Sequence, residues 1–189
     1  MRKIVSFMHV SLDGLVAGPQ GELDWVKINE NIFDYASART NAADIALYGR
    51  GTYTIMEAYW PTAAQKPNPS KHDIEHSAWY NKVAKIVLSR TMKGTVLPHT
   101  TVISDHVAEE IEKIKQAGDG EIIIFGSPLA TQTLLDANLI DDFWVFVNPV
   151  ILGKGKPFFK TNGTMAKLRL VKAVPFDNGV VCLHYEKRS

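Results

Sequence analysis

Four short segments of the chain carry glycine, hydroxyl or arginine residues directly after a run of apolar residues. They are residues 12–18, 48–54, 88–90 and 124–128. Glycine lets the backbone approach a ligand closely, while hydroxyl groups, guanidinium groups and the free N–H groups of a helix start bind phosphate. Taken together, the four segments predict a site for an organic cofactor that carries phosphate groups.

Each segment also has a purely structural explanation. Residues 12–18 can form a strand-to-loop turn, and Arg50 can be a solvated arginine beside a helix that Thr52 caps. Ser127 and Pro128 are typical of the N-cap and the first position of a helix. A ligand site and a set of ordinary turns therefore both fit the residues when each segment is taken alone.

Other candidate sites are weaker. His72 and His76 are four residues apart, as two metal ligands on one helix face would be, but no third ligand is near and we expect a solvated face. Residues 153–157 do not match the phosphate-binding P-loop pattern and are interpreted as a tight turn. Cys182 lies in an apolar run, which is typical of an inert core cysteine. We predict no metal site and no nucleophilic triad.

The elements that must position these residues alternate along the chain. Apolar runs predict strands at 3–10, 44–48, 83–88, 121–125, 143–151 and 180–185, and helical spacing predicts helices at 29–40, 106–117 and 128–137. This alternation predicts an α/β fold with a mostly parallel central sheet. Residues 141–151, 166–174 and 180–186 follow one another without a helix, so the sheet is predicted to end antiparallel. Residues 63–71 are predicted to be a surface loop.

Composition limits the classes of partner. The 189 residues are 46% hydrophobic, and 21 basic and 20 acidic side chains give a formal net charge of +1. This composition fits one domain over residues 1–189, and it lacks the basic field that nucleic acid or an anionic membrane would require. The single cysteine, and the short apolar stretch after Met1 that Ser6 and His9 interrupt, lead us to expect a cytoplasmic protein without a signal peptide or membrane span.

The motifs as a set resemble the dihydrofolate reductase superfamily, and within it the reductase domain of the bifunctional riboflavin-biosynthesis deaminase-reductase. The resemblance covers roughly residues 2–186. Its landmarks are Ser11-Leu12-Asp13-Gly14, Asp24-Trp25, Tyr48-Gly49-Arg50-Gly51-Thr52-Tyr53, Leu88-Ser89-Arg90, Phe125-Gly126-Ser127 and the segment 149–155.

The resemblance implies a three-layer dihydrofolate-reductase-like fold that binds NADPH across the strand ends. It places the nicotinamide near Met8, Val10, Leu12, Gly14 and Ala17. It places the phosphate groups on the adenine side near Gly49, Arg50, Thr52, Leu88, Ser89 and Arg90. It places the pyrophosphate at Gly126, Ser127, Pro128, Leu129 and Ala130, where the family's pair of glycines is Gly126-Ser127 in this sequence.

The residue that would serve as the catalytic acid is left open among three candidates. Glu30 and Asp34 are four residues apart on the first predicted helix, and Asp24 precedes Trp25. The alternative is that the two helical acids only favour the positive end of the helix. Trp25 is predicted to form an aromatic wall of the substrate pocket, against a flat heterocycle.

The resemblance implies an NADPH-dependent reductase of a pterin-like or ribosylaminopyrimidine-like substrate. Two alternatives stay open: an NADP-binding regulatory protein without turnover, and a structural homodimer without cofactor. A homodimer is predicted in any case, because Phe143, Trp144, Phe146 and the segment 154–159 contain more aromatic residues than one side of a sheet usually needs.

Overall fold

The computed structural model describes residues 1–160, 163 and 165–188. Its strands are β1 (Lys3–Ser11), β2 (Leu15–Ala17), β3 (Ala43–Gly49), β4 (Ala84–Leu88), β5 (Thr100–Ile103), β6 (Glu121–Phe125), β7 (Asp142–Asn148), β8 (Lys156–Pro157), β9 (Leu168–Pro175) and β10 (Val181–Lys187). Its α-helices are α1 (Glu30–Ala42), α2 (Arg50–Tyr59), α3 (Lys71–Lys82), α4 (Val107–Gln116) and α5 (Pro128–Asp136). A 3-10 helix spans Trp60–Gln65.

The central sheet has eight strands in the order β5-β4-β3-β6-β1-β7-β10-β9. The six strands from β5 to β7 are parallel, and β10 pairs antiparallel with both β7 and β9. The predicted α/β class, with an antiparallel C-terminal end, is confirmed. β2 and β8 form a separate two-stranded ribbon.

Helices cover both faces of the sheet because the central strands are apolar on both faces. In β6, Ile122 and Ile124 belong to one core with α4 and α5, whereas Ile123 and Phe125 belong to a second core with α1, α2 and α3. A continuous apolar run such as this one is typical of a buried parallel strand. Each fully buried isoleucine contributes roughly 1.5–3 kcal/mol relative to an exposed one.

Two local predictions are wrong. The predicted loop at 63–71 is shorter, because the 3-10 helix extends to Gln65 and α3 begins at Lys71. The pair His72 and His76 does not form a solvated face. His72 stacks on Phe33 of α1 with ring centroids 3.5 Å apart, and His76 lies 4.1 Å from the Trp60 ring. Burial lowers the pKa of His76 to about 3, so this imidazole is neutral at physiological pH.

Candidate active site

Three of the predicted turns meet at the carboxyl edge of the sheet. Gly49 of β3 lies opposite Leu88 of β4, so Arg50 and Ser89 continue from adjacent strand ends. The Ser127 hydroxyl accepts a hydrogen bond from the Gly49 N–H (3.0 Å) and donates one to the Phe125 carbonyl (3.2 Å). The buried Ser127 thus joins the ends of β3 and β6, at the place where the strand order changes direction and open α/β sheets bind ligands.

Two helices begin in this crevice without a side-chain cap. α2 starts at Arg50 after Gly49, and α5 starts at Pro128 after Ser127. The prediction that Thr52 caps α2 is therefore wrong, since Gly49 occupies the N-cap position and Thr52 lies in the first turn. Ser127 occupies the N-cap of α5 as predicted, but its hydroxyl bonds Gly49 and Phe125 instead. The first-turn N–H groups of both helices thus suit an anion.

Gly126 and Ser127 form a tight left-handed turn between β6 and α5. Their φ angles are 56° and 54°, a region that costs a residue other than glycine roughly 1–2 kcal/mol. Ser127 is held there by its two hydrogen bonds. A Cβ atom on Gly126 would lie 3.5 Å from the Thr52 Cγ2 atom, so Gly126 leaves a narrow gap between the two helix starts.

We expect Gly126→Ala to weaken binding of a phosphate-bearing ligand at least tenfold, because the new methyl group would occupy this gap and strain the turn. Gly94→Ala is the matched control: Gly94 also has a positive φ (79°), but nothing lies within 4 Å of a Cβ placed there. Both variants should lose about 1 kcal/mol of unfolding free energy. Only Gly126→Ala should change the Kd of NADPH in a fluorescence titration, and an equal change in both variants would refute the assignment.

Arg50 and Arg90 are exposed, and neither forms an ion pair within residues 1–160, 163 and 165–188. The turn that carries Arg90 is held by Ser89, whose N–H donates to the Ile103 carbonyl (3.0 Å) and whose carbonyl accepts from the Ser104 hydroxyl (2.8 Å). The two guanidinium groups thus extend from fixed backbone at neighbouring strand ends. This arrangement suits a phosphate dianion.

The turn after β1 is fixed by Ser11 and Asp13. The Ser11 hydroxyl donates to Asp13 Oδ1 (2.6 Å) and accepts from the Leu15 N–H (2.9 Å). Asp13 also accepts from the N–H groups of Leu152 (3.1 Å) and Gly153 (2.8 Å). The Ser11 hydroxyl and these two N–H groups lower the pKa of Asp13 to about 2. Asp13 is therefore a structural carboxylate that ties the loops after β1 and β7 together.

The ribbon of β2 and β8 holds the same two loops together at a second point. The Phe158 N–H donates to the Gly14 carbonyl (3.0 Å). A Cβ atom on Gly155 would lie 2.1 Å from the Ala17 carbonyl oxygen, so only glycine permits this close approach. Residues 153–157 thus form a turn packed against the loop after β1, which agrees with the structural explanation.

The residues predicted around the nicotinamide differ in their exposure. Leu12 is 65% exposed at the sheet edge and Gly14 lies in the turn beside it. Met8, Val10 and Ala17 are buried, and the side chains of Met8 and Val10 pack in the core beneath α4 and α5. A ligand at the edge would therefore meet Met8 and Val10 chiefly through main-chain atoms. Leu129 of α5 is 74% exposed, whereas Ala130 is buried.

The candidate acids have ordinary surface environments. Asp24 and Glu30 are exposed, and Glu30 is the first residue of α1. Asp34 pairs with Lys71 of α3 at 2.8 Å, and both side chains are more than half exposed. Trp25 is half-buried outside both cores, and its indole N–H donates to the Glu22 carbonyl (3.1 Å). The role of each acid and of Trp25 stays a prediction.

Two polar residues at this edge, Asn148 and His9, were not predicted. Asn148 is fully buried at the end of β7, where its Oδ1 atom accepts from the Lys27 N–H (2.8 Å) and its Nδ2 group donates to the Phe146 carbonyl (3.1 Å). It thereby anchors the chain two residues beyond Trp25. His9 of β1 lies beside Asn148. The sequence contains one signal for Asn148, which is a polar residue at the end of an apolar strand.

The aromatic residues of β7 do not form the surface on which the homodimer prediction rests. Phe143, Trp144 and Phe146 are 1%, 9% and 0% exposed, so they fill the two cores of one chain and form no surface patch. Phe158 is buried as well, and Phe159 is the one partly exposed aromatic ring in the segment 154–159. The homodimer itself stays a prediction.

Comparison with known proteins shows the family. Residues 2–182 match the RibD C-terminal domain. The chain belongs to this family. It is 30% identical over 188 residues to the uncharacterised protein YyaP of Bacillus subtilis (strain 168), covering 97% of this chain and 94% of that one.

Solved structures show the same fold. A protein from Shewanella sp. PV-4 named for riboflavin biosynthesis superposes with a TM-score of 0.76 at 22% identity, covering 99% of both chains. Dihydrofolate reductase from Enterococcus faecalis, complexed with NADP(H) and RAB-propyl, superposes with a TM-score of 0.63 at 16% identity, covering 99% of this chain and 97% of that one. The present chain, a member of the RibD C-terminal domain family, therefore has a reductase-type fold.

The residues that the structure describes contain neither a membrane-spanning helix nor a metal-binding cluster. No helix among them is both long enough and apolar enough to cross a membrane. Nor do these residues contain a group of three or more histidine, cysteine, aspartate or glutamate side chains placed to hold a metal ion.

Proposed function

We propose that the protein is an NADPH-dependent reductase of a flat heterocyclic substrate. The observation that carries the proposal is the junction of β3, β4 and β6. Two helix starts without a side-chain cap, the Gly126-Ser127 turn and two arginines that form no ion pair with any described residue lie together at this edge. The family and the fold, which resembles that of a reductase complexed with NADP(H), support the same reading.

The residues present fit the parts of NADPH. The first-turn N–H groups of α2 and α5 would bind the pyrophosphate, with Gly126 leaving room for it. Arg50, Ser89 and Arg90 would bind the adenosine 2′-phosphate. The loop after β1, held by Ser11 and Asp13, would place Leu12 and Gly14 at the nicotinamide. When bound, NADPH supplies the hydride, and the chain's contribution is to bind, align and exclude water.

The substrate pocket is proposed to lie between the segment 12–25 and α1, with Trp25 as an aromatic wall. Asn148 supports this placement, because it ties Lys27 to the end of β7 and so holds the approach to α1 beside the sheet edge. The proposed substrate is pterin-like or ribosylaminopyrimidine-like, and the reaction resembles that of 5-amino-6-(5-phosphoribosylamino)uracil reductase or dihydrofolate reductase.

The test is a screen for NADPH oxidation that depends on an added substrate, run with pterins and ribosylaminopyrimidines. We expect at least one of these compounds to be reduced, and Gly126→Ala to abolish most of that turnover. NADPH binding without oxidation by any compound would favour the second candidate, an NADP-binding protein without turnover. That candidate is favoured by the surface positions of Asp24, Glu30 and Asp34. Failure to bind NADPH would refute both.

A further inference from the structure

His9 occupies an unusual place for an imidazole. It lies near the end of β1, and its ring stacks on Phe146 with centroids 4.8 Å apart and an interplanar angle of 20°. The Phe7 ring contacts it edge-on at 6.2 Å. Because side chains alternate along a strand, His9 is on the opposite face of the sheet from Met8 and Val10, with the layer of α1 and α3. This is the side where the substrate pocket is proposed.

Asn148 determines which nitrogen of His9 carries hydrogen. The Oδ1 atom of Asn148 accepts from the Lys27 N–H, so its Nδ2 group must face the Phe146 carbonyl (3.1 Å), the Val10 carbonyl (3.3 Å) and His9 Nδ1 (3.4 Å). An amide NH₂ group that already faces two carbonyls cannot be turned around without losing all of these contacts. The amide nitrogen offers no lone pair, so a hydrogen on His9 Nδ1 would face the amide hydrogens, and this favours the tautomer with the hydrogen on Nε2.

The Nε2–H group is a donor with no hydrogen-bond partner among the residues that the structure describes, and it is not sealed in the core. His9 is half-buried near the carboxyl end of β1. Burial lowers the pKa of His9 to about 4, so the ring is uncharged at neutral pH. A neutral donor on an aromatic floor suits a flat ligand that presents a lone pair at its edge.

We propose that His9 is a substrate-binding residue whose Nε2–H donates a hydrogen bond to a carbonyl oxygen of an uncharged heterocycle. The inference rests on the proposed function and narrows its substrate class. An amidine-type edge, which presents two N–H donors, requires a carboxylate partner. In the described part of the chain, Asp34 is paired with Lys71, Asp13 already accepts three hydrogen bonds, and Asp24 and Glu30 are exposed, whereas His9 offers a donor, so we expect the site to prefer a carbonyl edge to an amidine edge.

His9 would serve two steps of the reduction. Its hydrogen bond to the ring carbonyl withdraws electron density from the conjugated C=N or C=O group that is reduced and holds the acceptor carbon in place. When the carbon gains the hydride, the π pair moves to the nitrogen or oxygen, which takes one proton from water. His9 keeps its own proton and stabilises the developing negative charge.

The test is a fluorescence titration of two probes, a pteridine dione and a diaminopteridine, without cofactor. The unmodified protein should bind the dione more tightly. His9→Phe keeps an aromatic ring but loses the donor, so it should weaken dione binding roughly three- to tenfold, as expected for the loss of one neutral hydrogen bond. His9→Gln should retain most of the affinity, because its amide group can donate instead. His72→Phe, which changes the imidazole stacked on Phe33, should bind the dione as the unmodified protein does.

Unchanged dione affinity in His9→Phe, no dione binding by the unmodified protein, or tighter binding of the diaminopteridine would each overturn the proposal. NADPH titrations of the same variants separate this inference from the proposed function. We expect the Kd of NADPH to be the same in His9→Phe and in the unmodified protein. If NADPH binds normally but the dione gives one of the contradicting results, the role of His9 is wrong and the proposed function still stands.

Discussion

Arg50→Ala and Arg90→Ala should each raise the Kd of NADPH by roughly one to two orders of magnitude and leave the Kd of NADH nearly unchanged. Each charge-assisted contact to phosphate contributes about 1.5–3 kcal/mol, and only NADPH has the 2′-phosphate that both guanidinium groups would bind. Neither arginine is in an ion pair in the described part of the chain, so no other contact of this kind is lost.

Arg188→Ala is the matched control for this experiment. Arg188 is also exposed, but it lies directly after β10, where its N–H bonds the Lys167 carbonyl. We expect it to bind NADPH and NADH as the unmodified protein does. If the Arg50 and Arg90 variants weaken the binding of NADPH and NADH equally, the arginines contact a group that both cofactors have, and the assignment to the 2′-phosphate is wrong.

Asn148→Ala should lower the unfolding free energy by about 2–4 kcal/mol, the largest stability effect we expect from a polar residue of the site. The change removes the acceptor of the Lys27 N–H and the amide donor to the Val10 and Phe146 carbonyls at a fully buried position. It also releases the segment after Trp25. Urea unfolding measures the loss of stability. Titration with the pteridine dione measures the release of the segment, which we expect to abolish dione binding.

Asn81→Ala provides the comparison. Asn81 is exposed and its side chain donates one hydrogen bond, to the Pro61 carbonyl at 3.2 Å. Its removal should change the unfolding free energy by less than about 0.5 kcal/mol. A loss of similar size in both variants would show that the buried network around Asn148 contributes no more than a surface contact.

Much of the sheet could be predicted because its central strands are continuous apolar runs. The predicted strand at 121–125 has the observed bounds of β6, and the predicted helix at 128–137 extends one residue beyond α5. β5 was not predicted, because its four residues are only partly buried at the edge of the parallel strands. Nor was the ribbon of β2 and β8, which pairs segments more than a hundred residues apart and has no periodicity of its own.

The turns of the site could be predicted for a geometric reason. Carboxyl ends of parallel strands share one edge, so glycines, serines and arginines that follow such strands must come together. Contacts between side chains far apart in sequence could not be predicted. Asn148 and Lys27 are 121 residues apart, and Asn148 and His9 are 139 apart. The same limit explains the errors on His72, His76 and the aromatic residues of β7, whose burial depends on neighbours from other elements.

Calorimetric titration of the unmodified protein with NADPH and with NADH, at moderate salt, tests whether the carboxyl edge around Gly49, Arg90 and Gly126 is a site for NADPH. If it is, we expect one site per chain and a Kd for NADPH lower than that for NADH by roughly two orders of magnitude. Equal affinities for the two nucleotides, or no heat of binding with either, would contradict it.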